Sequence, residues 1–92
     1  MKFQGVQNML GRTGGKVPNQ FEIYAAEGVY FQSYDTIIAF RPYGGGKVQL
    51  DRDKWDFSVT TGKYRNQFLG CDKAATLKKI KSGEYEFADL NG

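Results

Sequence analysis

Three Gly-Lys pairs, Gly15-Lys16, Gly46-Lys47 and Gly62-Lys63, are the first places in this 92-residue chain to look for phosphate chemistry. A Walker-type loop needs a glycine five residues before the pair and Ser or Thr after it, so that backbone amides wrap the phosphates and a hydroxyl meets magnesium. None of the three fits. They are followed by Val17, Val48 and Tyr64, and the upstream positions hold Leu10, Arg41 and Phe57. A looser anion site stays open at the Thr61 to Lys63 amides with help from Arg65, if a helix begins there. A plain helix cap is the competing explanation of the same residues.

Catalysis finds little support. The chain has no histidine, so the commonest general base and metal ligand is missing. Asp51-x-Asp53-x-x-Asp56 resembles the start of a calcium loop, but that loop wants an oxygen ligand at position 55 and glycine at 56, where Trp55 and Asp56 stand. A solvated turn accounts for these acids. Cys71 has no histidine to activate it, and the neighbouring Asp72 carboxylate works against a thiolate. Tyr64 beside Arg65 lacks a supporting base. The chain is therefore expected to be no enzyme and to need no cofactor or metal.

Nucleic-acid binding is the stronger positive case. Sheet surfaces that hold single strands combine exposed aromatics for stacking with Lys or Arg for phosphates. The candidates are Tyr30, Tyr34, Arg41, Tyr43, Lys47, Lys63, Tyr64 and Arg65, with Tyr24 expected to share a sheet face with Tyr30 and Tyr34. On the plainer alternative the tyrosines pack against the helices, and Lys78, Lys79 and Lys81 form an ordinary solvated face.

The elements that must position these residues follow from periodicity and turn chemistry. Residues 1–19 hold Gly5, Gly11, Gly14, Gly15 and Pro18 and are expected to form an irregular arm, with at most a short strand or turn at Phe3 to Leu10. The domain proper is expected over 20–92. Alternation predicts strands over 20–25, 29–34 and 36–41, then 47–51 after the Gly44–Gly46 loop, and a fifth over 55–59 with Trp55, Phe57 and Val59 inward. Thr60 or Thr61 is expected to cap a short helix over 62–69 closed by Gly70, and Asp72 a second helix ended by Ser82-Gly83. Glu84 to Phe87 alternates into a closing strand. The predicted class is α+β: an antiparallel sheet of about five strands, two short helices after the meander, and the closing strand near Tyr85 to Ala88.

Composition bounds the remainder. A chain of this length makes one domain, burying roughly 60–65% of its unfolded surface. Seven Phe, six Tyr and one Trp supply much of that small core. The net charge of +3 permits attraction to nucleic acid without demanding it. The single cysteine allows no intramolecular disulfide and points to a reducing compartment. With no leader-like or membrane-spanning apolar run, a cytoplasmic setting away from membranes is expected.

The segments "YFQSYDTIIAF" (30–40) and "VQLDRDKWDFSVTTGKYRNQFLG" (48–70) resemble a family of small uncharacterised proteins encoded by bacteriophages and their hosts. The shared elements are the aromatic-x-Ser-Tyr-x-Thr-x-Ile pattern that begins at Phe31, and Trp55, Phe57, Ser58, Thr60 and Thr61 followed by Tyr64, Phe68 and Leu69. The resemblance implies a mobile-element origin and nothing about catalytic residues. It also raises a second class of function, a phage-encoded inhibitor that binds a host defence protein through an aromatic and Arg-rich patch. Both readings draw on the same residues, and homo-oligomerisation through a sheet edge is open as well.

Overall fold

The computed structural model describes residues 3–11 and 14–92. Its elements in chain order are strands β1 (Phe3–Leu10), β2 (Lys16–Ala25), β3 (Gly28–Ser33) and β4 (Thr36–Pro42), a 3-10 turn at Tyr43–Gly45, strand β5 (Val48–Asp51), helices α1 (Val59–Leu69) and α2 (Lys73–Ser82), and strand β6 (Tyr85–Ala88). The six strands form one sheet in sequence order. All neighbours are antiparallel except β5 and β6, which run parallel. Parallel neighbours cannot be joined by a tight turn, so the chain leaves the sheet after β5 and both helices form the crossover. The α+β class with C-terminal helices is as predicted. The parallel closure is not visible in strand alternation, which carries no information on direction.

One sheet face meets the helices. Val29, Phe31, Ile38, Ala39, Leu50 and Tyr85 pack with Phe68 of α1, and Met9 joins from β1. The Phe31 and Phe68 rings stack with centroids 5.7 Å apart. Each such buried ring contributes about 1.5–3 kcal/mol. A register shift between Phe31 and Gln32 explains the adjacent isoleucines: Ile37 pairs with Gln32, while Ile38, in the bulge, turns into the core. On the opposite face, Val6, Ile23, Tyr30 and Phe40 stand in one register row across four strands. The Tyr30 and Phe40 rings lie 4.4 Å apart there. Gly28 is required beside them, because a Cβ would come within 2.7 Å of the Phe40 ring and would clash with the Arg41 carbonyl oxygen.

Three expectations are corrected. The arm expected over 1–19 is largely strand in its described part: β1 pairs with β2 from Phe3 to Leu10, and β2 already begins at Lys16. Residues 1, 2, 12 and 13 lie outside the described residues. The glycines in this stretch mark turns and register shifts rather than an irregular chain. The fifth strand over 55–59 does not form. The Asp51 carboxylate accepts the Asp53 and Lys54 amides, and its carbonyl accepts the Trp55 amide, so side chain and backbone together wind the chain into turns. Finally, α1 starts at Val59, and its cap is Ser58, whose hydroxyl accepts the Thr61 amide at 3.1 Å. Asp72, Gly70 and Gly83 cap as predicted, both glycines in the left-handed conformation.

Candidate binding surfaces

The corner that carries α1 into the sheet is built around Arg65. Its helical position points the side chain back under Gly62, where a Cβ would lie 3.6 Å from the guanidinium. There Arg65 is 1% exposed. Its Nη1 donates to the Trp55 carbonyl and to Asp56 Oδ1, each at 2.9 Å, and its Nη2 donates to Asn66 Oδ1 at 2.9 Å. The guanidinium also lies 5.1 Å from the Trp55 ring centre. Lys73 of α2 reaches the other Asp56 oxygen at 2.6 Å. Partial burial pushes the Asp56 carboxyl upward, but the hydrogen bonds and charges of Lys73 and Arg65 outweigh it and hold the pKa below the ordinary value. The anion of this corner is thus the protein's own Asp56.

Behind the corner, Thr61 reaches across to β3, its hydroxyl 3.0 Å from that of Ser33. Gln20, in register with Ser33, is 1% exposed, and neither of its side-chain amide atoms finds a hydrogen-bond partner among the described residues. In front of the corner lies an open cleft of about 660 Å³, lined by Asp56, Phe57, Val59, Lys63, Asn66 and Lys73 among others. Val59 is 93% exposed beside it, and Phe57 is half exposed. Both were expected to point inward from a strand. Ser58 was the available signal against that expectation, since Ser is a strong helix cap and ends the alternation.

The second surface is the sheet end where β4 runs into the 3-10 turn. Arg41 Nη1 donates to the Phe68 carbonyl in the last turn of α1 at 2.7 Å, and its guanidinium lies 4.5 Å from the Phe68 ring centre. The rest of Arg41 stays exposed, as does Lys47, and no carboxylate among the described residues pairs with either. Tyr43 between them is 53% exposed, its amide anchored to the Glu27 carbonyl at 3.1 Å. Gly44 and Gly45 take positive φ here, as the turn requires. Tyr24 stands in the same register row as Arg41, across Val29. Burial and the Glu22 carboxylate raise its phenol pKa, while the Arg41 charge opposes them. The last turn of α2 approaches the same end, because Gly83 and Glu84 lead directly into Tyr85, which pairs with Val48. Lys79 there pairs with Glu84 at 3.7 Å, leaving Lys78 and Lys81 without ion pairs among the described residues.

The other end of the sheet is acidic. Asp35, Asp51, Asp53 and Asp89 gather around a depression with Lys54, and Arg52 pairs with Asp89 at 3.0 Å. Asp51 is consumed in turn hydrogen bonds, including one from the Leu90 amide at 2.9 Å. Among the described residues no three acidic or cysteine side chains converge as metal ligands would.

The eight sequence candidates therefore disperse. Arg41, Tyr43 and Lys47 come together. Tyr34 stands at the acidic end, in a left-handed turn conformation. Tyr30 lies on the outer sheet face against Phe40 and Tyr24 on the helix face, so the three tyrosines do not share a surface. Tyr64 packs against the core, Lys63 lies over its ring at 5.3 Å, and Arg65 is buried.

Residues 6–84 match a family described as a family of unknown function (DUF8033), and the chain belongs to it. No curated protein and no solved structure matches the chain. No helix among the described residues is long and apolar enough to cross a membrane.

Proposed function

We propose that this protein is a non-catalytic binding module that holds single-stranded nucleic acid at the Arg41–Lys47 end of its sheet. The observation that supports this most is the placement of Tyr43, an exposed ring on an anchored turn between two cations that no carboxylate among the described residues engages. A base stacks on such a ring for about 1–3 kcal/mol, while neighbouring cations take the flanking phosphates. Segregation of Asp35, Asp51, Asp53 and Asp89 to the far end favours approach from this side. The single cysteine fits a cytoplasmic setting, and the resemblance to phage-encoded proteins fits a mobile-element origin.

Fluorescence anisotropy with labelled single-stranded DNA and RNA, at low and physiological salt, tests the proposal. Binding should persist at the higher salt, weaken with Tyr43→Ala and be unchanged by Tyr34→Ala at the far end. Equal losses for both tyrosines, or binding erased by modest salt, would contradict it. A second reading, inhibition of a host protein, has its own support in exposed Phe57 and Val59 beside the Lys63–Lys73 cleft. An aromatic anchor of that kind would bind with little salt dependence and would lose its partner on Phe57→Ala.

A further inference from the structure

We infer that the chain forms a two-fold dimer through antiparallel pairing of β1 with β1 of a second copy. Strand β1 stands at the end of the sheet with β2 as its one strand neighbour among the described residues, so its other side presents backbone donors and acceptors that no strand pairs, only the terminal Leu10 carbonyl being taken up, by Gln67 Nε2 at 2.9 Å. Natural proteins blunt such edges with charges, prolines or very short strands. β1 is eight residues long, and its sequence FQGVQNML contains neither a charge nor a proline, in a chain of which 25% is charged. The opposite edge is treated differently: β6 has four residues, carries Glu86 and is flanked by Glu84 and Asp89. Register shifts at both ends of β1 leave Gly5 to Asn8 as the regular run available for pairing.

Charge and surface pattern choose a second copy as the occupant. Two-fold antiparallel pairing sets the strand against itself, which repels for a charged strand and costs nothing for an uncharged one. On the outer face, Val6 is 59% exposed at the start of the apolar row Val6, Ile23, Tyr30 and Phe40. The two-fold joins that row to its equivalent in the second copy, and the two Val6 side chains cover each other. The interface is isologous and closes on itself, so it yields dimers rather than filaments.

Sedimentation velocity from micromolar to near-millimolar protein, without nucleic acid, tests this separately from the proposed function. The wild-type chain should sediment with twice the mass of one chain. Val6→Lys and Gln7→Lys, both at exposed edge positions, should sediment as monomers with unchanged far-ultraviolet circular dichroism. If one variant fails to fold, the other carries the test. A wild-type monomer throughout the range, or a dimer that survives a folded lysine variant, would overturn the inference.

Discussion

The Trp55–Asn66 corner and the Arg41–Lys47 turn contain nearly the same residue types: an arginine, an aromatic, a glycine and a lysine. The structure uses them in opposite ways. In the corner the guanidinium is buried under Gly62 and bound to two oxygen partners on one nitrogen and one on another, with Asp56 as its counter-charge. At the turn, Arg41 gives one hydrogen bond to the end of α1, lies against the Phe68 ring and otherwise stays exposed beside an exposed tyrosine. Whether such a cluster is architecture or surface depends on how many of its donors the chain itself satisfies, and residue type does not reveal that number.

The largest effect that should separate the two regions is on stability. Arg65→Ala should cost about 3 kcal/mol, because it removes a buried guanidinium from its ion pair with part-buried Asp56 and leaves Asp56 and the Trp55 carbonyl each short of a donor. Arg41→Ala should cost about 1 kcal/mol or less, one partly exposed hydrogen bond and a ring contact. Urea unfolding of both variants checks this, and equal losses would erase the distinction. Asp56→Asn comes next, at about 1.5–3 kcal/mol for its charge-assisted bonds. Its pH dependence has a fixed sign. The folded pKa is depressed, so the carboxylate stabilises the fold above its ordinary value of 3.8, and that contribution is lost as pH falls through the lower folded value. The stability difference between wild type and Asp56→Asn should therefore be level at neutral pH and shrink in that acidic window. Ser58→Ala should cost about 1 kcal/mol as the loss of a helix cap, with Thr60→Ala near neutral at its exposed position. A reversed order in thermal melts would return the cap to the threonines.

The smallest effects on stability belong to the turn, where binding is the readout. Lys47→Ala should leave the melting midpoint unchanged and reduce the salt dependence of oligonucleotide binding by about one counterion. An unchanged slope would remove Lys47 from the interface.

Much of this architecture is legible in the sequence. The alternation of Phe21, Ile23 and Ala25, met by pairing with the next strand β3, and the Asp72 cap and the Gly70 and Gly83 stops, met by local hydrogen bonds, are signals carried by neighbouring residues. What escapes is decided by partners distant in sequence. β1 is a strand because β2 pairs with it across a glycine-rich turn that alone reads as irregular. Trp55 to Val59 alternates like a strand, yet the Asp51 carboxylate takes the Lys54 amide just before it, the Asp51 carbonyl takes the Trp55 amide, and the Ser58 hydroxyl starts a helix by accepting the Thr61 amide. The site was partly legible for the same reason. Arg41, Tyr43 and Lys47 are neighbours in the chain and stay together, whereas the fate of Arg65 depended on a pocket built by Trp55, Asp56 and Gly62.

Amide chemical-shift mapping with an unlabelled oligothymidylate tests the central contrast most directly, because it reads both regions in one experiment. Shifts should concentrate at Arg41 to Lys47 and the adjoining Ala26 to Gly28 turn, with the Trp55–Asn66 amides unmoved. Shifts centred on Phe57 to Lys63, with the turn silent, would contradict the account and make the corner the binding surface.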